Sequence, residues 1–343
     1  MQCTLLIPHL FWPDETATSV TRDLELPQLT KLLARASSDR LSAISTEGWM
    51  CEAFDVARQH DWPIAPLTFA IDGGNAGDDY WLRADPVHLN VTRDRLVLAD
   101  SALFELRAEE AQSLVATLNA YFAESGLLFQ APHPKRWYAK LARPPAVATR
   151  GISEVAGQDV RRHLPAGAEA LAWHRLFNEI QMLLHEHPTN ESREARGEPP
   201  VNSVWFWGGG TRPAVSARHF QYVWSDNITA VALATAAGAH AKPLPADAET
   251  WLKSAVPSPA ASHLITFDAL ATAVAYRDSE AWRTATASLE SRWLAPLLRA
   301  LRANRLTRIT LVALGESHAC RFVLGRSDLL KLWRRPRSLS WYV

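Results

Sequence analysis

The chain has 343 residues, which is enough for one large α/β unit or for two smaller domains with separate cores. Apolar residues make up 48% of it and charged residues 21%, so a folded protein is expected rather than a long disordered one. Lys and Arg total 36, as do Asp and Glu, and this lack of a positive excess argues against nucleic acid as a partner.

The cysteines and the apolar runs indicate where in the cell the protein is expected and whether it spans a membrane. Cys3, Cys51 and Cys320 are far apart and form neither a C-x-x-C pair nor a disulfide framework, so reduced thiols in a cytoplasmic protein are expected. Residues 1–12 lack the pattern of a signal peptide. No run of about 18 apolar residues is present, and we therefore expect no membrane span.

The first half of the chain alternates apolar runs with helical periodicity. Its Pro-rich stretch 142–146 reads as a connector and as the best place for a subdomain boundary. The predicted elements are a strand at 3–7, helices at 26–36 and 49–57, strands at 80–89 and 95–98, a helix at 108–122 and a strand at 137–141.

The second half continues the alternation, which predicts an α/β fold with a mostly parallel sheet flanked by helices. We expect Pro188 to end the first helix and a polar loop to follow it at 189–200. The predicted elements are a helix at 168–185, a strand at 203–207, a helix at 230–237, a strand at 262–267, a helix at 280–303 with Pro296 as its break point, and a strand at 308–314.

The stretch 187–210, HPTNESREARGEPPVNSVWFWGGG, is the most informative one. Glycines after a buried strand allow positive φ and close backbone approach, at the sheet edge where open α/β proteins usually bind ligands. Upstream side chains offer donors suited to an anionic oxygen-rich ligand. The alternative is a glycine-rich turn whose polar residues act as caps. The residues concerned are His187, Asn190, Arg193, Asn202, Gly208, Gly209 and Gly210.

The pattern H-P-x-N-x-x-R-x-x-x-G-x-P-P-x-N, followed by W-G-G-G, resembles the archaeal-type cofactor-independent phosphoglycerate mutases of the alkaline phosphatase superfamily. More closely, the chain resembles their bacterial relatives, the RpfE-type regulatory proteins. The resemblance implies an alkaline-phosphatase-like core from residues 1–70 and 165–343, with an inserted substrate-side α/β subdomain at 71–164. It adds Arg83 and Arg136 to the expected ligand-binding residues.

The same comparison shows where the chain departs from the enzymes. The mutases end their first strand in D-G-x-G-D, whereas Pro8 to Asp14 here has no leading Asp. A-T-A-V-A-Y-R-D at 271–278 replaces their D-x-x-x-H segment, and Trp207 replaces an Arg that usually precedes G-x-G. The expected nucleophile has no recognisable context around Ser42, Ser45 or Thr46. We therefore expect no catalytic residues, no bound metal and no cofactor.

Two hypotheses follow for the function. The first is a non-catalytic regulatory or ligand-binding protein that takes a small anionic or phosphorylated metabolite or a protein partner. The alternative is an active metal-dependent phosphoglycerate mutase or phosphomonoesterase with relocated ligands. The candidates for such ligands are Asp14, Asp268, Asp278, Glu316 and His318.

A basic, aromatic segment at 331–342 stands apart from these motifs. It is suited to an acidic partner, a membrane surface or nucleic acid. The alternative is a solvated segment whose tryptophans fold back onto the domain.

Overall fold

The computed structural model describes residues 1–92, 94–256, 258, 260–316 and 319–342. They form the strands β1 (Gln2–Pro8), β2 (Ser37–Leu41), β3 (Tyr80–Val91), β4 (Leu96–Ala99), β5 (Leu127–His133), β6 (Arg136–Leu141), β7 (Val147–Ala148), β8 (Ala166–Gly167), β9 (Ser203–Gly210), β10 (Tyr222–Trp224), β11 (His240–Lys242), β12 (Ser262–Thr266), β13 (Arg308–Leu314) and β14 (Ala319–Gly325). They also form the helices α1 (Ala17–Val20), α2 (Pro27–Arg35), α3 (Thr46–Ala53), α4 (Ile64–Ile71), α5 (Ala108–Tyr121), α6 (Ile152–Val155), α7 (Ala170–His185), α8 (Pro188–Ala195), α9 (Ile228–Ala236), α10 (Ala248–Ser254), α11 (Ala269–Ala275), α12 (Ser279–Ser288) and α13 (Ala295–Arg302).

The chain divides into two compact units. Met1–Asp55 and Val215–Val343 form the first unit, and Val56–Ala214 forms the second. The inserted unit therefore begins earlier and ends later than the stretch 71–164 proposed from the sequence. The reason is that β9 pairs along β3, which places the whole motif 187–210 in the second unit rather than in the core.

The first unit is built on a sheet with the strand order β11-β10-β12-β1-β13-β14-β2. The strands from β11 to β13 run parallel, and β14 and β2 add two antiparallel neighbours at one edge. The central strand β1 is buried and apolar on both faces from Leu5 to Pro8, as a strand covered on both sides requires. The prediction of a mixed α/β fold with a mostly parallel sheet is confirmed.

The connection from α12 to α13 runs through a π-helical segment, Leu289–Leu294. The segment places Glu290 at the start of α2, where its carboxylate accepts hydrogen bonds from the amides of Gln28 (2.7 Å) and Leu29 (2.8 Å). Pro27 at the first position of α2 has no side-chain cap of its own, so the distant carboxylate satisfies amides that a helix start leaves open. The predicted long helix at 280–303 is thus interrupted by the π segment, before Pro296.

The second unit has a sheet with the order β4-β3-β6-β5, and β9 also pairs with β3. These pairings are all antiparallel. The glycines of the motif lie inside β9 rather than after it, because the strand continues to Gly210 opposite Trp81. The glycines do stand at the C-terminal end of a buried strand, as expected, but the expectation that this end is the ligand-binding edge of a parallel sheet is wrong, because β9 belongs to an antiparallel sheet.

The predicted loop at 189–200 is largely helical, which is a second correction. α7 ends at His185, and Pro188 begins α8 instead of merely ending α7. Proline is well tolerated at the first helical position, where its missing N–H would have no partner. No helix among the described residues is long and apolar enough to cross a membrane.

Candidate functional site: the segment 187–210 and the ends of the core strands

His187 begins the polar segment by capping α8. Its Nδ1 accepts a hydrogen bond from the amide of Thr189 (3.1 Å), and its Nε2 lies 3.0 Å from the hydroxyl of Thr117 on α5. Burial lowers the pKa of His187, which favours the neutral ring that this cap needs. The side chain therefore ties two helices of the second unit together.

Asn190 and Arg193 are deeply buried polar residues of the segment. The Asn190 amide nitrogen donates to the carbonyls of Leu184 (2.7 Å) and Val201 (2.8 Å), and its oxygen accepts from the Val201 amide (2.8 Å). The fully buried Arg193 donates to the Glu110 carboxylate (2.8 Å) and to backbone carbonyls on either side. Each side chain is thus occupied by its own chain.

Asn202 holds the entry to β9 in the same way. Its amide oxygen accepts from the Leu89 amide (2.7 Å) and its amide nitrogen donates to the Leu89 carbonyl (3.0 Å). The pair imitates a strand-to-strand hydrogen-bond ladder at the point where β9 begins. Within the structure, Asn202 fixes the register of β9 against β3.

The glycines allow close packing on β9. Gly208 has φ +66°, and a Cβ there would lie 3.0 Å from the Cβ of Ile64 at the start of α4. A Cβ at Gly209 would lie 2.5 Å from the hydroxyl oxygen of Tyr80. A Cβ at Gly208 would press on α4, and one at Gly209 would displace the ends of the Tyr80 and Leu82 side chains, so close packing accounts for both glycines.

Arg83, on β3, lies in a buried polar cluster with Asp85 and Trp207. Its Nε and Nη2 donate to one oxygen of Asp85 (3.0 and 2.7 Å), and the indole nitrogen of Trp207 donates to the other (2.8 Å). The guanidinium also lies 5.2 Å from the Trp207 ring and 5.3 Å from the Tyr138 ring. Burial raises the pKa of Asp85, while Arg83 acts to lower it.

Arg136 forms a second pair at the neighbouring strand β6. Its guanidinium donates to both oxygens of Asp72 (2.8 and 2.5 Å), and the Tyr138 hydroxyl donates to the same carboxylate (2.6 Å). Burial acts to raise the pKa of Asp72, but the hydrogen bonds from Arg136 and Tyr138 outweigh it, and the pKa is lowered. Arg136 keeps 23% of its side chain exposed.

The nine predicted ligand-binding residues therefore form two groups. Arg83 lies opposite Trp207 and next to the glycines at the end of β9, and Arg136 lies on the neighbouring strand β6. Asn190, Arg193 and Asn202 lie around the beginning of β9.

The carboxyl ends of β1, β12 and β13 are the place where a metal centre would be expected. β1 ends in Pro8, and His9 follows with φ 55° and with its Nδ1 buried and unpartnered among the described residues. Burial lowers the pKa of His9, which Glu316 opposes. Asp268, after β12, accepts a hydrogen bond from the Asn227 side chain (3.1 Å), and burial raises its pKa.

Two of the other acidic candidates, Asp14 and Asp278, already have partners. Asp14 pairs with Arg277 at 2.5 Å and accepts from Trp12 and Thr16. Asp278 caps α12 by accepting from the Ala281 amide (2.9 Å). Glu316 is exposed, and His318 lies outside the described residues.

No three His, Cys, Asp or Glu side chains within the described ranges group closely enough to hold a metal ion. A two-metal centre needs several anionic or imidazole ligands converging on each cation. The donors in this part of the chain do not fit such a centre, and no step through a metal follows from them.

Sequence reasoning missed the carboxylates that neutralise the predicted cations. Asp85 could have been found, because it stands two residues after Arg83 and a strand places such residues on one face. Asp72 and Glu110 are distant in sequence from Arg136 and Arg193, and no pattern links them. Their roles depend on the tertiary structure.

Comparison with known proteins places this mixed α/β chain beside one class of enzyme. It is 27% identical over 164 residues to a probable 2,3-bisphosphoglycerate-independent phosphoglycerate mutase of Geobacter sulfurreducens, covering 47% of this chain and 40% of that protein. It is 29% identical over 153 residues to the 2,3-bisphosphoglycerate-independent phosphoglycerate mutase of Methanosarcina barkeri, covering 43% of this chain and 37% of that one. The matches span about two fifths of the length of these relatives.

The fold has a counterpart among solved structures. The structure of the PH0037 protein from Pyrococcus horikoshii superposes with a TM-score of 0.53 at 11% identity, over 94% of this chain and 87% of that one. No family model matches the chain. The chain is thus similar in sequence to the cofactor-independent phosphoglycerate mutases, and its overall fold resembles that of a solved structure.

Proposed function

We propose that this chain is a non-catalytic regulatory or ligand-binding protein, of the RpfE type, on a phosphoglycerate-mutase-like scaffold. The observation that carries the proposal is the chemistry at the carboxyl ends of the core strands. Pro8 and His9 stand where the resemblance expects a leading Asp, and Asp14 and Asp278 already serve an ion pair and a helix cap. A cytoplasmic location fits the free cysteines Cys3, Cys51 and Cys320.

The retained motif supports the same proposal. A motif that binds a substrate would leave hydrogen-bond donors open toward it. Here Asn190 and Asn202 donate to backbone carbonyls of other residues, and Arg193 donates to the Glu110 carboxylate. We propose that these residues, together with Arg83, stabilise the fold of the second unit. Their retention then requires no catalysis, because losing a buried hydrogen-bonded group costs stability by itself.

A small anionic or phosphorylated ligand would bind first at Arg136 and its neighbours on β6. Arg136 is the partly exposed cation of that group, and His133 and Lys135 precede it. An anion that binds there competes with Asp72, which holds Arg136 through two hydrogen bonds. Binding would therefore replace one carboxylate by another anionic partner rather than fill an empty arginine fork.

The first experiment measures phosphoglycerate mutase turnover and phosphomonoester hydrolysis by the purified chain with Mn²⁺, Mg²⁺ or Zn²⁺. The expected result is no chelator-sensitive turnover above background. Chelator-sensitive mutase activity would overturn the non-catalytic proposal and favour the alternative, a metal-dependent mutase or phosphomonoesterase whose ligands include residues outside the described set.

The ligand-binding part is tested separately by thermal shift with 3-phosphoglycerate and a panel of phosphorylated metabolites. A ligand at about 100 times its Kd adds roughly 2.7 kcal/mol to the stability. The double substitution Arg136→Gln with Asp72→Asn should abolish the shift while keeping the local charge neutral. Arg161→Gln with Asp159→Asn removes another ion pair of the second unit and serves as the matched control. A shift that both variants retain places the ligand elsewhere.

A further inference from the structure

The segment after β14 is fixed to the first unit at both of its ends. Leu329 and Leu339 are buried in the same hydrophobic cluster as β1 and α2. The Tyr342 ring stacks on Phe11 with centroids 5.9 Å apart and meets the edge of Phe322 at the same distance. What lies between these anchor points is therefore a held loop and not a loose tail.

The held loop turns large apolar side chains toward solvent. Leu330 is 74% exposed, Leu332 is 72% exposed and Trp333 is 75% exposed, and Trp341 next to the second anchor is 58% exposed. Single exposed apolar residues are common on protein surfaces, but three within four positions are not. One interpretation of the sequence was that the tryptophans of this segment fold back onto the domain. Trp333 and Trp341 are instead largely exposed.

Cations stand next to these side chains in the sequence. Lys331, Arg334, Arg335 and Arg337 lie in the loop, and the sequence from 329 to 343 contains neither Asp nor Glu. Lys331 pairs with Asp328 just before the loop (2.7 Å), and Arg337 lies 3.8 Å from the centre of the Trp341 ring. The loop thus combines protruding Leu and Trp side chains with a local positive charge, in a chain whose formal net charge is zero.

We propose that this held loop docks the protein on the surface of an anionic phospholipid bilayer. Leu and Trp side chains flanked by Lys and Arg are the combination that settles at a membrane interface, with the apolar groups at the acyl boundary and the cations at the headgroups. Nucleic acid would use the cations and the indole rings, but it offers nothing to Leu330 and Leu332. The aliphatic side chains therefore favour a bilayer.

The test is co-sedimentation of the full chain with vesicles of phosphatidylcholine alone and of phosphatidylcholine with about one third phosphatidylglycerol. The wild type should bind the anionic vesicles and lose binding at high salt. Each cation near such a surface contributes about a fivefold increase in partitioning. Arg335→Glu with Arg337→Glu should therefore weaken binding by at least about 25-fold.

Trp333→Ala with Leu332→Ala removes the apolar part at exposed positions, so folding should be unaffected, and binding should fall by about tenfold or more. The controls lie in the second unit. Arg175→Glu with Arg212→Glu changes the net charge equally, and Tyr121→Ala removes an exposed aromatic ring. Neither control should change binding by more than about twofold.

Three outcomes would overturn the proposal: no binding of the wild type to anionic vesicles, equal binding by loop and control variants, or binding to single-stranded nucleic acid that vesicles do not compete away. The last outcome would assign the loop to nucleic acid instead. A circular-dichroism melt of every variant identifies any that has failed to fold.

Discussion

The indole nitrogen of Trp207 donates a hydrogen bond of 2.8 Å to the Asp85 carboxylate, whose other oxygen is held by Arg83. Trp207 stands where the resemblance to the mutases expects an arginine. The substitution therefore leaves one arginine and one carboxylate in the cluster, which neutralise each other. Arg83, Asp85 and Trp207 therefore form a closed, neutral unit.

Trp207→Phe tests the hydrogen bond in this cluster. Loss of the indole donor removes a hydrogen bond to a buried carboxylate, which costs about 1–3 kcal/mol. Trp251→Phe is the matched control, because Trp251 is fully buried and its indole nitrogen has no partner among the described residues. Urea unfolding should show the larger loss for Trp207→Phe. Equal losses would mean that ring volume alone matters at position 207.

Asn190→Ala tests whether the retained motif is structural. The substitution removes three buried hydrogen bonds between the end of α7 and the entry to β9, and we expect a loss of about 3 kcal/mol in the free energy of unfolding. Asn178→Ala on the exposed face of α7 should stay within about 0.5 kcal/mol of the wild type. A variant with wild-type stability but weakened ligand binding would contradict the structural role.

Gly208→Ala tests the close approach of α4 to β9. Alanine at positive φ costs about 1 kcal/mol wherever it occurs. At Gly208 the new Cβ would also lie 3.0 Å from Ile64, which adds about 1–3 kcal/mol of overpacking. Gly73→Ala, at φ +88° with open space around it, isolates the backbone contribution. Similar melting temperatures for the two variants would show that α4 moves away without cost.

His263 makes the stability of the first unit depend on pH. Burial lowers the pKa of this fully buried ring to about 4, and its Nδ1 accepts from the indole nitrogen of Trp224 (3.2 Å). Protonation would place a second donor against that indole. The unfolded chain therefore binds the proton more readily, and stability is complete above about pH 6.5 and falls as the pH drops toward 4.

At about pH 5 this histidine should lower the free energy of unfolding by about 2 kcal/mol relative to neutral pH. His263→Gln keeps an acceptor for Trp224 but does not titrate, so its stability should change less between the two pH values. His185→Gln replaces an exposed histidine and provides the comparison. Parallel pH profiles for the wild type and His263→Gln would show that other groups cause the acid sensitivity.

Patterns with a clear period predicted the elements of the core. The strand predicted at 308–314 is β13, and the helix predicted at 108–122 is α5 to within a residue. Elements with weak patterns were missed. β2 reads SSDRL and lies exposed at a sheet edge, so no alternation of apolar and polar residues marks it. α8 was taken for a loop because its residues are polar, and its start depends on a cap from His187.

The sequence by itself determined the α/β class, the likeness to the mutases and the missing acidic residue at the end of β1, because these depend on local residue types and their spacing. Only the tertiary structure decided what the motif does. Hydrogen bonds from Asn190 and ion pairs such as Arg193 with Glu110 or Arg136 with Asp72 join residues far apart in the chain. Whether a polar side chain faces a ligand or its own backbone depends on those long-range partners, and a local pattern carries no information about them.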